Sequence, residues 1–378
     1  MSAPVADFVR YLVWGYYGFR NLGDELMLEE IVRRIRARDP GAEINVRCYE
    51  APNVPGTIAF PIENFGTRSK LAAAAKYVRR ILDITRRIDY LVIGGGTLFL
   101  DRGRHNSSMA LLALTVAVAV WRGVRVRTVG LGIDVITRPL NRFYLKYILQ
   151  ASEVVCVRDD FSVLVARHLV APERVRRAGD IVFAIRDLAA EAMPQMSRPV
   201  AVIALVDVYN TVAPSAEKRS LFMKRCCELA RTILMQNPNL DIRFCAFQRQ
   251  IGDRDDVLLE EVTALIGRHT PELRKRVSLC RMETRQEIAE VYAAASFTVT
   301  MRYHAAVLSA MFGRPFLAIE IEMKLRELSR EFGMPSLPID EFMEAGLSAA
   351  QVDGLRRLVI PPEVLARQAD MAQINFDW

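Results

Sequence analysis

Two doubly wound α/β domains facing each other across a cleft are the fold class this sequence predicts, and three observations predict it. The chain has 378 residues, about twice the length of a typical domain. Hydrophobic residues make up 51% and charged residues 25%, enough apolar material for two cores. Short runs rich in Val, Ile and Leu alternate with longer segments of helical periodicity, the pattern of parallel strands joined by crossover helices.

In the first half, continuous apolar runs predict strands at 9–14, 42–48, 90–94, 124–130 and 153–157. Runs without polar alternation fit strands buried on both faces. Helical spacing predicts helices at 25–37, 70–87, 107–122 and 139–151. A last apolar run at 180–185 precedes RDLAAEAMPQMSRP, which has no strand pattern and ends at Pro199. The expected organisation is therefore an N-terminal domain over 1–186, a linker over 187–199, a C-terminal domain over 200–360 and a closing helix over 361–378. The second half repeats the scheme, with strands at 200–206, 240–246, 277–279, 297–300 and 316–319 and helices at 216–236, 255–268, 285–294 and 303–312.

The balance of 51 Lys and Arg against 44 Asp and Glu gives +7, which suits an anionic small substrate, an acidic membrane surface or nucleic acid. Nucleic acid is disfavoured because the basic residues are not interleaved with aromatics and no recognised module appears. Six cysteines, Cys48, Cys156, Cys226, Cys227, Cys245 and Cys280, contain no C-x-x-C pair and read as reduced thiols of a cytosolic protein. The first residues lack the pattern of a secretory signal. The longest apolar stretch, 109–121, has Thr115 as its one polar member and falls short of the roughly 20 residues needed to span a bilayer. The segment 67–87 carries Arg68, Lys70, Lys76, Arg79, Arg80, Arg86 and Arg87 against Asp83. Its apolar face covers a sheet; its basic face leaves peripheral contact with anionic lipid open, so the expected location is the cytoplasm or the inner face of its membrane.

Ligands of doubly wound sheets sit beyond the carboxyl ends of the strands, which singles out four segments. GYYGFRNLGDE, 15–25, follows the first strand; Gly15, Gly18 and Gly23 permit close backbone approach, and Asn21 and Asp24 are its polar candidates, Asp24 alternatively as a helix cap. It is not G-x-G-x-x-G. VIGGGTLF, 92–99, offers Gly94, Gly95 and Gly96 as a binding loop or a structural turn, with no Gly-Lys-Ser/Thr behind it. In CVRDDFS, Arg158 ends a strand, where it reaches an anionic ligand or pairs with Asp159 or Asp160. SFTVTMRYHAAVLSAMFGRP, 296–315, puts Arg302, Tyr303 and His304 at the first turn of a helix, where dipole and amides favour an anion. Of the four histidines, His105, His168, His269 and His304, only the last directly follows a strand of the second half. Lys324 adds a cation after the next strand, and Gln248 and Asp253 follow the strand at 240–246 as ligands or caps. No His, Cys or carboxylate cluster has metal-ligand spacing.

Taken in this order, GYYGFRNLGDE, VIGGGTLF, VRDDFS, MRYHA and the lysine of EMKLRE resemble the polysaccharide pyruvyl transferase family from Gly15 to about Lys324. The resemblance implies two Rossmann-like domains of GT-B type. It also implies transfer of a pyruvyl group from phosphoenolpyruvate to saccharide hydroxyls, commonly as a cyclic ketal, in cell-surface or exopolysaccharide biosynthesis. The family's Arg-x-His-Ala falls on Arg302, Tyr303, His304 and Ala305, its Val-Arg-Asp on Val157, Arg158 and Asp159, and its Asn-x-Gly-Asp-Glu on Asn21, Leu22, Gly23, Asp24 and Glu25. VGLGIDVI stands where the family often has a Gln-Gly-Ile-Gly-Pro-like stretch, and Ile321, Glu322 and Met323 replace its Asp-Pro-Lys. On this resemblance His304 and Arg302 are catalytic. Arg158, Arg302, Tyr303 and Lys324 hold the donor, while Asn21, Asp24, Gly95, Gly96 and Gln248 face the acceptor, free or lipid-linked. No metal or cofactor is expected, phosphoenolpyruvate being a co-substrate. The same architecture also serves glycosyltransferases using nucleotide sugars, enzymes of small metabolites, and silent members that bind a glycan or a protein.

Overall fold

The computed structural model describes residues 8–62, 70–101, 107–192, 198–211, 213–250 and 253–377. The chain divides into two compact units. The first runs to Phe19, resumes over Asp24–Ala184 and takes back Ala369–Trp378; the second comprises Arg20–Gly23 and Ile185–Gln368.

The first unit contains strands β1 (Arg10–Tyr17), β2 (Glu43–Cys48), β3 (Thr57–Pro61), β4 (Tyr90–Phe99), β5 (Arg125–Ile133), β6 (Val155–Val157) and β7 (Val175–Arg177). They form one sheet in the order β3-β2-β1-β4-β5-β6-β7, every pair parallel. Its helices are α1 (Leu22–Arg38), α2 (Lys70–Ile84), α3 (Ser107–Trp121), α4 (Pro139–Ala151) and α5 (Asp160–Arg167). Parallel strands need crossovers, and the helical spacing supplies them. Leu12, Trp14, Leu91 and Ile93 of the central strands pack with Tyr77 and Ile81 of α2, Leu112 and Val116 of α3, and Leu145 and Leu149 of α4 in one buried cluster. Each such aliphatic side chain contributes about 1.5–3 kcal/mol on full burial.

The second unit contains β8 (Val200–Ala204), β9 (Asp241–Cys245), the two-stranded ribbon β10 (Arg249–Gln250) and β11 (Asp253–Arg254), then β12 (Val277–Cys280), β13 (Ala295–Thr300), β14 (Phe316–Glu320) and β15 (Ser336–Pro338). The main sheet runs β12-β9-β8-β13-β14-β15, again all parallel. Helices α6 (Val208–Thr211), α7 (Ala216–Gln236), α8 (Asp255–His269), α9 (Pro271–Arg274), α10 (Arg285–Ala293), α11 (Tyr303–Met311), α12 (Met323–Phe332), α13 (Ile339–Ala345), α14 (Ala349–Arg357) and α15 (Pro362–Gln373) complete the chain. In both sheets strand order reverses beside the first strand, at β1/β4 and at β8/β13. Such switch points open a crevice at the carboxyl edge.

The structure differs from the sequence reading in several places. Residues 180–185 are not a strand: Ile181–Ala184 forms a buried 3-10 turn. The expected loop at Gly94–Gly96 is a continuation of β4, paired with β5 as Gly94↔Val129 and Gly96↔Leu131. Part of the stretch expected as linker is structured: Leu188–Glu191 is a 3-10 turn, with Arg285 paired to Asp187 at 2.9 Å and to Glu191 at 2.5 Å. Residues 193–197 lie outside the described residues, as do 67–69 of the basic segment, His105, and the side chain of Asp253. The closing helix α15 leaves the second unit at Gln368 and ends in the first.

All six cysteines are free. Cys245 and Cys280 are register neighbours on β9 and β12, and hydrogen bonding between them lowers the Cys280 thiol to about 7. No helix among the described residues is long and apolar enough to cross a membrane.

Candidate functional site

In the second unit the switch point is built by Thr300 beside Ala204. The chain leaves β13 with Met301 N–H donating to Ala204 at 2.8 Å and Arg302 N–H to the Thr300 hydroxyl at 2.8 Å. These bonds turn it into α11, whose first residues are Tyr303 and His304; Arg302 stands at the N-cap and offers no capping bond. The positive end of the helix dipole therefore lies at this turn.

Arg302 points its fork at Asp255, donating from Nε to Oδ2 at 3.0 Å and from Nη2 to Oδ1 at 2.5 Å. Asp255 Oδ2 also accepts from the backbone N–H groups of Phe247, at 3.1 Å, and Gln248, at 2.9 Å. One buried carboxylate thus ties the end of β9 to the start of α11 by four charge-assisted bonds. Sequence reasoning missed Asp255. Its signal was faint, an acid opening a helix after a strand, the ordinary place for an acid.

Gln248 is buried and forms an antiparallel bridge with Asn21. Leu22 N–H donates to Phe247 at 2.9 Å, and Gly23 N–H donates to Asn21 Oδ1 at 3.2 Å. The cap of α1 is therefore Asn21, and Asp24, read as a possible cap, lies inside the first turn. Gly23 lies against the His304 ring: a Cβ there would fall 1.9 Å from Nδ1. The motif glycine is required by the histidine beside it. Tyr303 and His304 meet edge to face at 5.4 Å between centroids. Lys324 Nζ lies 5.9 Å from the centroid of the Tyr303 ring and pairs with Glu322, adding a cation–π contact to an ion pair.

In the first unit the two glycine segments converge at the β1/β4 switch point. Tyr17 is fully buried and donates its hydroxyl to Gly94 O at 2.5 Å. Burial, then Asp24 and Glu25, push its phenol well above the ordinary value. Gly95 and Gly96 have φ of +77° and +85°. A Cβ on Gly95 would fall 2.7 Å from the Tyr17 hydroxyl, and one on Gly96 would fall 2.6 Å from Asp24 Oδ1. Glu25 accepts from Gly18 N–H at 2.7 Å. Burial still raises its carboxyl to about 7, the Gly18 bond opposing and Glu50 reinforcing the shift.

Arg158 is 4% exposed, donating from Nη1 to Asp180 at 2.8 Å and from Nη2 to the Thr97 hydroxyl at 2.9 Å. Asp159 lies 3.8 Å from its Nε and caps α5 by accepting from Ser162 N–H, while Asp160 pairs with Arg177. The main partner of Arg158 is thus neither of the two acids expected.

The predicted site residues fall into two sets. Asn21, Gln248, Arg302, Tyr303, His304 and Lys324 belong to the second unit; Asp24, Gly95, Gly96 and Arg158 belong to the first. The family motif over Asn21–Glu25 is divided between them after Gly23. Among the described residues no group of three or more His, Cys, Asp or Glu could hold a metal ion.

A family model described as polysaccharide pyruvyl transferase matches residues 21–322. No curated protein sequence matches the chain. Solved structures of similar fold include the UDP-GlcNAc 2-epimerase of Methanocaldococcus jannaschii, at TM-score 0.61 and 12% identity, covering 97% of this chain and 98% of that one. The UDP-GlcNAc 2-epimerase of Neisseria meningitidis bound to UDP-GlcNAc has TM-score 0.59 and 10% identity, covering 96% and 94%. The Rickettsia bellii UDP-N-acetylglucosamine 2-epimerase has TM-score 0.57 and 10% identity, covering 98% and 94%. At these identities the likeness is one of fold, two parallel-sheet α/β domains of GT-B type.

Proposed function

Because this chain belongs to the polysaccharide pyruvyl transferase family, we propose that it moves the pyruvyl group of phosphoenolpyruvate onto saccharide hydroxyls, closing a cyclic ketal, in the building of a cell-surface or exported polysaccharide. The observation that carries this reading is the turn from β13 into α11. It holds Arg302, the start of a helix dipole and His304 within three residues, with Lys324 beside Tyr303.

Phosphoenolpyruvate presents a carboxylate, a phosphate and a methylene carbon that must gain a proton. The α11 amino terminus and Lys324 suit the anionic groups, and Arg302, its plane fixed by Asp255, borders them. His304 as imidazolium donates its proton to the methylene carbon, leaving a cationic centre at C2. A sugar hydroxyl adds there and gives its proton back to the imidazole. The C2–O bond to phosphate breaks, inorganic phosphate leaves, and a second hydroxyl adds to C2 with loss of its proton. One phosphoenolpyruvate and one diol become one ketal and one phosphate. Asn21 and Gln248, in the same unit as this turn, are assigned to the acceptor, while Gly95 and Gly96, packed against Tyr17 and Asp24, and Arg158 act by holding the fold. The chemistry as written uses no metal or cofactor.

The test is phosphate release from phosphoenolpyruvate against a panel of saccharide acceptors, with UDP-sugars in parallel and His304→Ala as control. Acceptor-dependent release that falls at least about 10²-fold in the control is expected. Release of UDP without phosphate release from phosphoenolpyruvate, or full activity in the control, overturns the reading.

A further inference from the structure

We infer that the face of the first unit formed by α3 and α4 is a docking surface for an anionic lipid bilayer. Helices that cover a sheet normally turn apolar residues inward and charges outward. Here α3 contains no charged residue at all and leaves apolar groups outside: Leu114 is 38% and Trp121 74% exposed. The neighbouring α4 does the same with Leu140 at 60% and Phe143 at 63%. The core takes other residues of these helices, Leu112 and Val116 of α3 and Leu145 and Leu149 of α4, so the burial that holds α3 and α4 on the sheet does not account for their outer stripes.

The charge around the stripes selects the occupant. Neither α3 nor α4 contains an Asp or Glu. Arg138, the N-cap of α4, is followed at four-residue intervals by Arg142 and Lys146 within it, Lys146 standing one turn from Phe143. At the end of α3 lies a hollow of about 590 Å³ lined by Trp121 together with Arg122, Arg86, which lies 3.7 Å from Asp83, and Arg125, which pairs with Glu153 at 2.6 Å. Its acid, Asp89, accepts the Arg10 N–H at 2.7 Å. Arg122 stacks on the Trp121 ring at 4.9 Å, an amphipathic pair of the kind found at membrane interfaces. Exposed aromatics rimmed by cations, with acids absent from both helices, match the negative potential and apolar depth of an anionic bilayer. A second copy of the chain docked face to face would set these cations against their equals. The sequence left a lipid contact open for the basic segment 67–87; exposure moves the apolar contact to α3 and α4, with the exposed Arg86, in the turn after α2, at the edge.

The surface lies outside the site residues, so its test requires no turnover and stands or falls apart from the proposed reaction. The whole protein is sedimented with vesicles of phosphatidylcholine containing about 30% phosphatidylglycerol, and with pure phosphatidylcholine, at low and high salt. Binding to the anionic vesicles alone, weakened by salt, is expected. Arg142→Gln with Lys146→Gln should weaken it by about fivefold per cation removed, and Trp121→Ser with Phe143→Ser by at least about tenfold. All four substitutions are at surface positions, and circular dichroism should be unchanged. Equal binding to neutral vesicles, no binding, or binding untouched by both double variants overturns the proposal. So does a concentration-dependent dimer that the Trp121→Ser/Phe143→Ser variant abolishes, because the face would then be an interface between copies.

Discussion

Arg158 and Arg302 occupy the same kind of place in the two units. Each follows a parallel strand, each precedes a helix, and each donates to an aspartate, Arg302 through both arms of its fork. Their surroundings differ. The Arg158 and Asp180 side chains are 2% and 1% exposed, whereas Arg302 keeps 17% exposure over an Asp255 of 1%. A sealed pair contributes chiefly by not being broken, because removing one partner strands a buried charge. A pair open on the arginine side, at the start of a helix and next to a histidine, holds its guanidinium at an edge a ligand can reach. On the proposed function, the same local pattern in sequence thus carries structure in one unit and chemistry in the other.

The largest effect expected follows from separating the two. Arg302→Ala should lower acceptor-dependent phosphate release by about 10²- to 10³-fold, as for loss of a donor to developing charge. Its cost in stability should be about 1–3 kcal/mol, since Asp255 keeps its bonds from Phe247 and Gln248. Arg158→Ala should do the reverse, costing about 3–5 kcal/mol in chemical denaturation while the folded fraction keeps its activity within about tenfold. An Arg158→Ala protein of unchanged stability and no activity would return Arg158 to the donor site that the family resemblance gave it.

The second contrast is between glycines. Gly96 has φ +85° and would set a Cβ 2.6 Å from a carboxylate oxygen; Gly23 has no such backbone requirement but lies against the His304 ring. Gly96→Ala is therefore a stability variant, at about 1–3 kcal/mol. Gly23→Ala is an activity variant. Its methyl group cannot coexist with His304 in place, and a displacement of about 1 Å costs on the order of 10² in rate. Steady-state kinetics should show kcat falling with little change in melting temperature; unchanged kcat would mean that the position of His304 does not matter to turnover.

These contrasts mark what could be read from the sequence. Runs such as YLVIG and VAVIA announced β4 and β8 because central strands are buried on both faces. The strands β3, TIAFP, and β7, VRR, gave no such signal: edge strands are short, and β3 is largely exposed. Arg302 and His304 were legible because a strand-to-helix junction is a local feature. Asp255 was not, because its meaning comes from a partner 47 residues away. Nor could local pattern reveal that Arg20–Gly23 leaves the first unit to pair with Phe247 and Gln248, since the bonds that carry it are backbone bonds. Arg158 was read correctly as a strand-end arginine, but the sealing effect of Asp180 and Thr97 depends on packing.

The smallest effect expected concerns the two acids near helix starts, Glu25 and Asp255. Asp255 faces a guanidinium and two amides, whereas Glu25 has the Gly18 amide at 2.7 Å and the Glu50 charge against it. Burial raises the Glu25 carboxyl from 4.5 to about 7. Between those two values the folded chain therefore binds more protons at this site than the unfolded chain does. The contribution to stability is fully present below pH 4.5 and is lost as pH rises through 7. Glu25→Gln keeps an oxygen for the Gly18 amide and removes the titration. The wild-type melting temperature should fall relative to this variant by a few degrees, on the order of 2–5 °C, between pH 5 and pH 8. Parallel curves for the two proteins would mean that Glu25 is as well compensated as Asp255, and the contrast between the units would then rest on the arginines and glycines alone.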